Sequence, residues 1–339
     1  MPQLRQDLST RRWTIIAADR AKRPDDFVKR SSQAAAVSSY SPTCPFCAGN
    51  EDKTPPALYV LPEEAPRNER GWDVRVVPNR FPVLLKPTDG PESRKRTHHG
   101  LYSEMDGCGE HEVVIEHPDH SKTIATMTVQ EVTGVVRAYR HQFLELDKSD
   151  WNQLIIIFRN QGEGAGTSLV HPHSQIIGVP IVPQDVRWRL DEAQRYFDDN
   201  GTCVHCDMLD AEIREGIRIV ATNPGFVALC PFASSVPYEI RIVPRRHASS
   251  FGVLADEEAE LLARILKDTL GRLYSLLANP DYNYVVRSAP HHSAGEPHFH
   301  WYLEILPRLT TAAGFEIGTG INVNSVAPEA AASHLGKAC

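Results

Sequence analysis

The chain has 339 residues, 41% hydrophobic and 23% charged, the balance of a globular protein long enough for one large core or two ordinary ones. A net charge of −7 argues against a nucleic-acid or anionic-membrane partner. No apolar run approaches the roughly 18–20 residues that span a bilayer, and the opening MPQLRQDLSTRRW is charged where a signal peptide needs an apolar core, so a cytoplasmic location is expected.

In chain order, residues 25 to 43 are rich in Ser, Ala and Pro and read as loop. Cys44-Pro45-Phe46-Cys47 follows, the first of two C-x-x-C pairs in a chain of seven cysteines. An odd count without export features argues for metal or redox use rather than a disulfide framework. A redox pair would open a helix, but Cys47 leads into Ala-Gly-Asn-Glu-Asp-Lys-Thr-Pro-Pro, a loop, which favours zinc. The segment Lys86 to Glu110 also has loop composition. Val113-Val114-Ile115 has strand character and precedes His120. Thr128 and Glu131 form a capping-box pair, opening a helix with Val132, Val135, Tyr139, Phe143 and Leu146 on one face. Leu154 to Phe158 reads as a buried strand.

The stretch His171-Pro172-His173-Ser174-Gln175 follows a glycine-rich approach, Gly162 to Ser168. In an extended backbone both imidazoles and the Gln175 amide point the same way. Pro172 favours a strand edge or end, because it lacks a ladder donor. The glycines let a ligand come close to the backbone. The result is a candidate nucleophile with neutral hydrogen-bonding support; the alternative is a surface turn with incidental histidines.

The second half repeats the order. Cys203-Val204-His205-Cys206 is followed by a strand-like Tyr238 to Val243 and then His247. A helix capped by Asp256, with Leu262, Leu266, Leu270, Leu273 and Leu277 on one face, ends at Asn279-Pro280. The strand Tyr282 to Val286 leads to His298-Phe299-His300. The interval is 51 residues both from His120 to His171 and from His247 to His298. The expected fold is therefore α+β, built from two tandem copies of one unit, each an antiparallel sheet with a packed helix, over residues 1–185 and 186–339. Tetrahedral zinc fits Cys44, Cys47, His120 and His171 in one half, and Cys203, Cys206, His247 and His298 in the other. Both sites are closed, hence structural; the alternative is free buried cysteines. Metal at His171 would hold the backbone that carries His173.

H-P-H-S-Q, the C-P-F-C knuckle, P-D-H-S-K-T and the opening R-A-K-R-P together resemble the galactose-1-phosphate uridylyltransferase family, a branch of the histidine-triad superfamily. The resemblance covers nearly the whole chain. It implies a nucleotidyltransferase in which the second histidine of H-P-H, His173, attacks the α-phosphorus of a nucleotide sugar. UDP-glucose would release glucose 1-phosphate, and galactose 1-phosphate or another hexose 1-phosphate would then take the uridylyl group. Gln175 would hydrogen-bond the phosphoryl oxygens where histidine-triad hydrolases carry a further histidine. The resemblance further implies phosphate contacts at Arg20 and Arg23, a nucleoside loop at Asn79 and Phe81, phosphate contacts at Asn160, Gly166, Thr167 and Ser168, and sugar contacts at Glu316. The basic stretch at 20–23 can equally be a solvated surface. The family is often dimeric, so a homodimer is expected. The second half looks catalytically idle, since Trp301-Tyr302 replaces Ser-Gln after His300. Gly314-Phe315-Glu316-Ile317-Gly318-Thr319-Gly320 and the second C-x-x-C also resemble plant ADP-glucose phosphorylase. That resemblance implies an adenylyl-histidine passed to inorganic phosphate. A third reading is a non-enzymatic, zinc-stabilised nucleotide sensor.

Overall fold

The computed structural model describes residues 1–18, 24–27, 37–87 and 95–338. The N-terminal part carries β1 (Gln3–Gln6), β2 (Trp13–Ile16), a single-turn α1 (Pro24–Phe27), β3 (Tyr59–Leu61), β4 (Val74–Pro78), β5 (Thr97–His99), β6 (Tyr102–Glu104) and β7 (Glu110–Ile115). Next come α2 (Val129–Asp147), β8 (Leu154–Gln161) and β9 (His173–Val179). Two helices, α3 (Gln184–Asn200) and α4 (Val204–Glu215), lead to β10 (Ile219–Thr222), β11 (Phe226–Leu229) and β12 (Ile240–Pro244). The rest is α5 (Asp256–Leu277), β13 (Tyr282–Arg287), β14 (Tyr302–Pro307), α6 (Gly314–Thr319), β15 (Asn322–Asn324) and α7 (Pro328–Lys337).

One ten-stranded sheet runs β10-β11-β12-β14-β13-β8-β9-β7-β4-β3, with every neighbour antiparallel. Read outward from the β13–β8 seam, each half gives the same order: β8-β9-β7-β4-β3 on one side and β13-β14-β12-β11-β10 on the other. The duplication is as expected, but the two sheets are joined along the seam, where Asn283 pairs with Asn160 and Val285 with Phe158. The segment 86–110, read as loop, also contains the hairpin β5–β6.

The helices form where their apolar stripes permit. Thr128 caps α2, its hydroxyl accepting from Glu131 N at 3.3 Å while Glu131 Oε2 accepts from Thr128 N at 2.6 Å. Val132, Val135, Tyr139, Phe143 and Leu146 are all buried. In α5 the cap position is Ala255, not Asp256; the Glu258 carboxylate accepts from Ala255 N at 2.9 Å, and Asp256 instead receives Arg140 at 2.7 Å. Buried residues of both helices join the sheet's Val76, Val114, Ile157, Ile176, Ile242, Leu303 and Ile305 in one continuous core. Strand periodicity of two then turns His173 and Gln175 to the opposite face from Ser174 and Ile176. A second, smaller core lies on that face, where Phe46, Val60, Trp72, Val77, Val113 and Ile115 pack around Cys44 and Cys47.

Candidate functional site

Pro172 sits just before β9, so the strand can lie centrally between β8 and β7 and still begin at His173. His173 is 8% exposed. Its Nδ1–H donates to the His171 carbonyl at 2.8 Å, which assigns the tautomer and leaves the Nε2 lone pair free. Burial holds its pKa below the ordinary histidine value, so the ring is neutral near pH 7. Two cavities meet at this residue. One, of about 380 Å³, is walled by Arg159, Asn160, Gly162, Thr167 and Ser168. The other, of about 460 Å³, is walled by Phe46, Pro55, Val77, Asn79, Phe81 and Gln175. His173, Ser168 and Leu169 belong to both.

The polar groups of these walls have fixed orientations. Asn283 Nδ2 donates to Asn160 Oδ1 at 2.8 Å, which leaves the Asn160 NH₂ as a free donor on the cavity wall. The glycine-rich approach is a single 3₁₀ turn over Glu163–Ala165. Asp281 anchors it, its Oδ2 accepting from Gly164 N at 2.9 Å, and Gly166 at φ +88° ends it. Thr167 Oγ1 donates to the Leu169 carbonyl at 3.0 Å. Of the residues expected at the site, Gln175, Asn79, Phe81, Asn160, Thr167 and Ser168 line one cavity or the other. Gly166 shapes the turn without lining either. Glu316 lines neither cavity: it is half-buried on α6 and its carboxylate accepts from Ala313 N at 3.0 Å. Arg20 and Arg23 lie outside the described residues.

The sequence motifs do not reveal the charges near His173. Arg159 and Glu116 are 1% and 0% exposed and bonded through Arg159 Nε, at 3.0 and 2.9 Å to the two carboxylate oxygens. Burial works against the Arg159 charge, but Glu116 outweighs it and raises the pKa, so a permanent cation stands in the first cavity's wall. The available signal was a lone Arg closing the apolar run Ile155-Ile156-Ile157-Phe158. His111, too, carries no signal in the motifs. It shares its strand face with Val113 and Ile115, and its Nε2 lies 2.7 Å from Gln175 Oε1.

Cys44, Cys47, His120 and His171 come together beside His173, their ligand atoms all within 4.8 Å of one another. His120 Nδ1 and His171 Nδ1 are 3.2 Å apart, and Cys47 Sγ is 3.5 and 3.6 Å from them. Ligands on a tetrahedral zinc are separated by about 3.3–3.8 Å, given bonds of 2.0–2.3 Å. His171 Nε2–H donates to the His117 carbonyl at 2.7 Å, so its Nδ1 lone pair faces the centre of the cluster, as a ligating imidazole requires. Burial lowers the His171 pKa to about 4, which keeps that lone pair unprotonated. These residues fit a closed zinc site.

The second cluster corrects one expectation. Its members are Cys203, Cys206, His247 and His300, not His298. Cys206 Sγ is 3.3 Å from His247 Nδ1 and 3.4 Å from His300 Nδ1. The His247 and His300 rings are 5.2 Å apart at 73°, matching His120 and His171 at 5.1 Å and 72°. The spacing that corresponds to His120–His171 is therefore two residues longer in the second half, and the shared interval of 51 is coincidence. His298 lies in a turn and His300 two residues before β14, so the length of the approach to the strand decides which histidine reaches the cysteines. His298 Nδ1 has no hydrogen-bond partner and lies 3.9 Å from Glu296. With His300 matched to His171, Tyr302, the first residue of β14, takes the place of His173, the first of β9, and Glu304 takes that of Gln175.

Comparison with known proteins agrees with this architecture. The family profile described as galactose-1-phosphate uridyl transferase, N-terminal domain, matches residues 1–183, and that of the C-terminal domain matches residues 189–336. ADP-glucose phosphorylase of Arabidopsis thaliana is 36% identical over 97% of this chain and 90% of its own length. Galactose-1-phosphate uridylyltransferase of Thermotoga maritima is 29% identical over 99% of this chain and 98% of its own. The crystal structure of the Arabidopsis ADP-glucose phosphorylase with bound ADP-glucose superposes with a TM-score of 0.83 at 32% identity, covering 100% of this chain and 99% of that one. The chain is a member of the galactose-1-phosphate uridylyltransferase family of enzymes.

Proposed function

We propose that this protein transfers a nucleotidyl group in two half-reactions through His173, with UDP-glucose as donor and a hexose 1-phosphate such as galactose 1-phosphate as acceptor. The observation that carries this reading is the His173 imidazole at the junction of two cavities, with Nδ1–H held by a carbonyl and Nε2 open. The aromatic and prolyl wall of the larger cavity suits a nucleoside, and the Arg159–Ser168 wall suits the sugar and its phosphate. Nε2 attacks the α-phosphorus, the bond to the bridging oxygen breaks, and glucose 1-phosphate leaves. That group is a weakly basic phosphate, so no general acid is needed. Gln175, Asn160 and Ser168 offer neutral donors to the phosphoryl oxygens, and Arg159 contributes a fixed positive charge. The acceptor phosphate then attacks the same phosphorus and releases the imidazole.

In the same reading Cys44, Cys47, His120 and His171 hold one structural zinc, and Cys203, Cys206, His247 and His300 hold another. A bound zinc would tie each C-x-x-C segment to the sheet. The catalytic half is residues 1–185 and the degenerate half residues 186–339. A cytoplasmic setting suits thiolate ligands, which stay reduced there.

A second reading, adenylyl transfer from ADP-glucose to orthophosphate, is favoured by the 36% identity to ADP-glucose phosphorylase over nearly the whole chain. Incubation with UDP-glucose or ADP-glucose labelled on the α-phosphorus, without acceptor, separates the two. Acid-labile uridylyl label on the protein supports the first and adenylyl label the second. Label from neither donor would refute transfer through histidine. His173→Asn should abolish labelling while leaving the metal content intact.

A further inference from the structure

The role proposed for Gln175 depends on which end of its amide faces the phosphate. Carboxamide nitrogen and oxygen have nearly the same shape, so packing alone does not orient them. A donor toward the phosphoryl oxygens stabilises them; a flipped amide would present its oxygen to an anion.

We propose that His111 is a positioning residue that locks Gln175 with its NH₂ toward the reacting phosphorus and couples that orientation to the 79–83 segment of the nucleoside cavity. This inference rests on the nucleotidyl-transfer reading. The Val83 backbone N–H, which can only donate, sets the tautomer. Val83 N–H donates to His111 Nδ1 at 3.2 Å, so Nδ1 carries the lone pair. A neutral imidazole then bears its proton on Nε2, and this donates to Gln175 Oε1 at 2.7 Å. With the oxygen engaged, the Gln175 NH₂ is left for the cavity shared with His173. A flipped Gln175 would set N–H against N–H at that distance. The ring is 8% exposed and burial keeps its pKa below the usual value, so the neutral form prevails near pH 7.

The same histidine holds the nucleoside segment. Asn79 N donates to the His111 carbonyl at 2.8 Å; the Asn79 NH₂ can donate to the Nδ1 lone pair at 3.5 Å and also approaches Nε2–H at 3.0 Å, a donor–donor contact in this tautomer. Asn79 Oδ1 accepts from Phe81 N at 2.9 Å. Movement of the 79–83 segment therefore bears on the imidazole, and through it on the amide that meets the phosphate. A filled nucleoside cavity holds the donor in place; an empty one leaves it freer.

A double-mutant cycle tests this with whichever donor the wild-type enzyme uses. His111→Phe should slow formation of the nucleotidyl-enzyme about 10- to 100-fold, the range for loss of a group that orients a reacting-site residue, with little change in KM. In a Gln175→Ala background the same substitution should change the rate by less than about threefold, because the residue through which it acts is gone. His111→Gln, whose amide can still donate to Gln175 Oε1, should recover most of the rate. Equal losses in both backgrounds, or an effect on KM alone, would overturn the proposal. Nitrogen-15 NMR of the unmodified protein gives an independent check that survives a misfolded variant or a failed labelling assay. The Nε2–H tautomer is expected at pH 7; an Nδ1–H or doubly protonated ring would sink the idea.

Discussion

Glu112 shows how burial can dominate a titration in this chain. It lies on the core-facing side of β7, 5% exposed, and accepts from Gln142 Nε2 at 2.7 Å. Burial raises its pKa to about 7, and the Gln142 bond only partly opposes this. A carboxyl whose folded pKa exceeds its unfolded value of about 4.3 contributes stability below that value and loses it as pH rises through the folded pKa. Stability should therefore fall between about pH 4 and pH 7 on account of this group. Glu112→Gln keeps an acceptor for Gln142 and removes the charge. It should leave stability nearly unchanged at pH 4 and raise it by about 3–4 kcal/mol at pH 8.5. Urea midpoints at the two pH values measure this; a gain of the same size at both would show that burial of the charge is not the cause.

The elements around the site divide into those legible in the sequence and those that were not. The α2 capping box, the buried stripe of that helix and the strands β7, β8 and β13 follow from local spacing, and the His173–Gln175 face follows from a period of two. The fourth ligand of the second cluster did not, because only the length of the turn leading into β14 selects between His298 and His300. Metal analysis settles this: His300→Asn should lower bound zinc from two ions to one per chain, whereas His298→Asn should keep two. Retention of both ions by the His300 variant would reject the assignment. The turn before the nucleophile is a second case, because its constraint comes from a distant residue. Gly162 has φ +82°, and a Cβ there would meet Asp281 Oδ1 at 1.9 Å. Gly162→Ala should displace the Asp281–Gly164 contact, destabilise the fold by about 1–3 kcal/mol and slow labelling of His173. Thermal unfolding and single-turnover rates report the two effects, and an unchanged rate would remove the turn from the site.

At the scale of the molecule, a repeat in sequence became a single sheet, and nothing local in either copy specifies that join. The strand runs of β8 and β13 look like interior strands of their own units, and each proves to be the edge that its partner covers. The seam is more than backbone. The Tyr139 hydroxyl in α2 meets that of Tyr284 in β13, Arg159 reaches Tyr282 at 3.2 Å, and Phe143 of α2 packs edge-on to Phe251 at 5.8 Å. The second half contributes to the cavities at His173 through these contacts, since Tyr282 engages Arg159 in the first cavity's wall and Asp281 anchors the glycine turn. Around Tyr302 and Glu304, which take the places of His173 and Gln175, stand ion pairs instead: Arg287 holds Glu304 at 2.8 Å, and Arg241 reaches back to Asp7 of the first half at 2.8 Å. Residues 1–185 alone would expose the unpaired β8 edge and the apolar face of α2 that meets α5, a combination that drives association between copies. This fragment should therefore elute as aggregate, with poorly dispersed NMR signals and no labelling of His173. Co-expression with residues 186–339 should restore a soluble, labelled complex. A monomeric, cooperatively unfolding 1–185 fragment would show that each copy is sufficient by itself, and that the seam joins two finished domains rather than completing one.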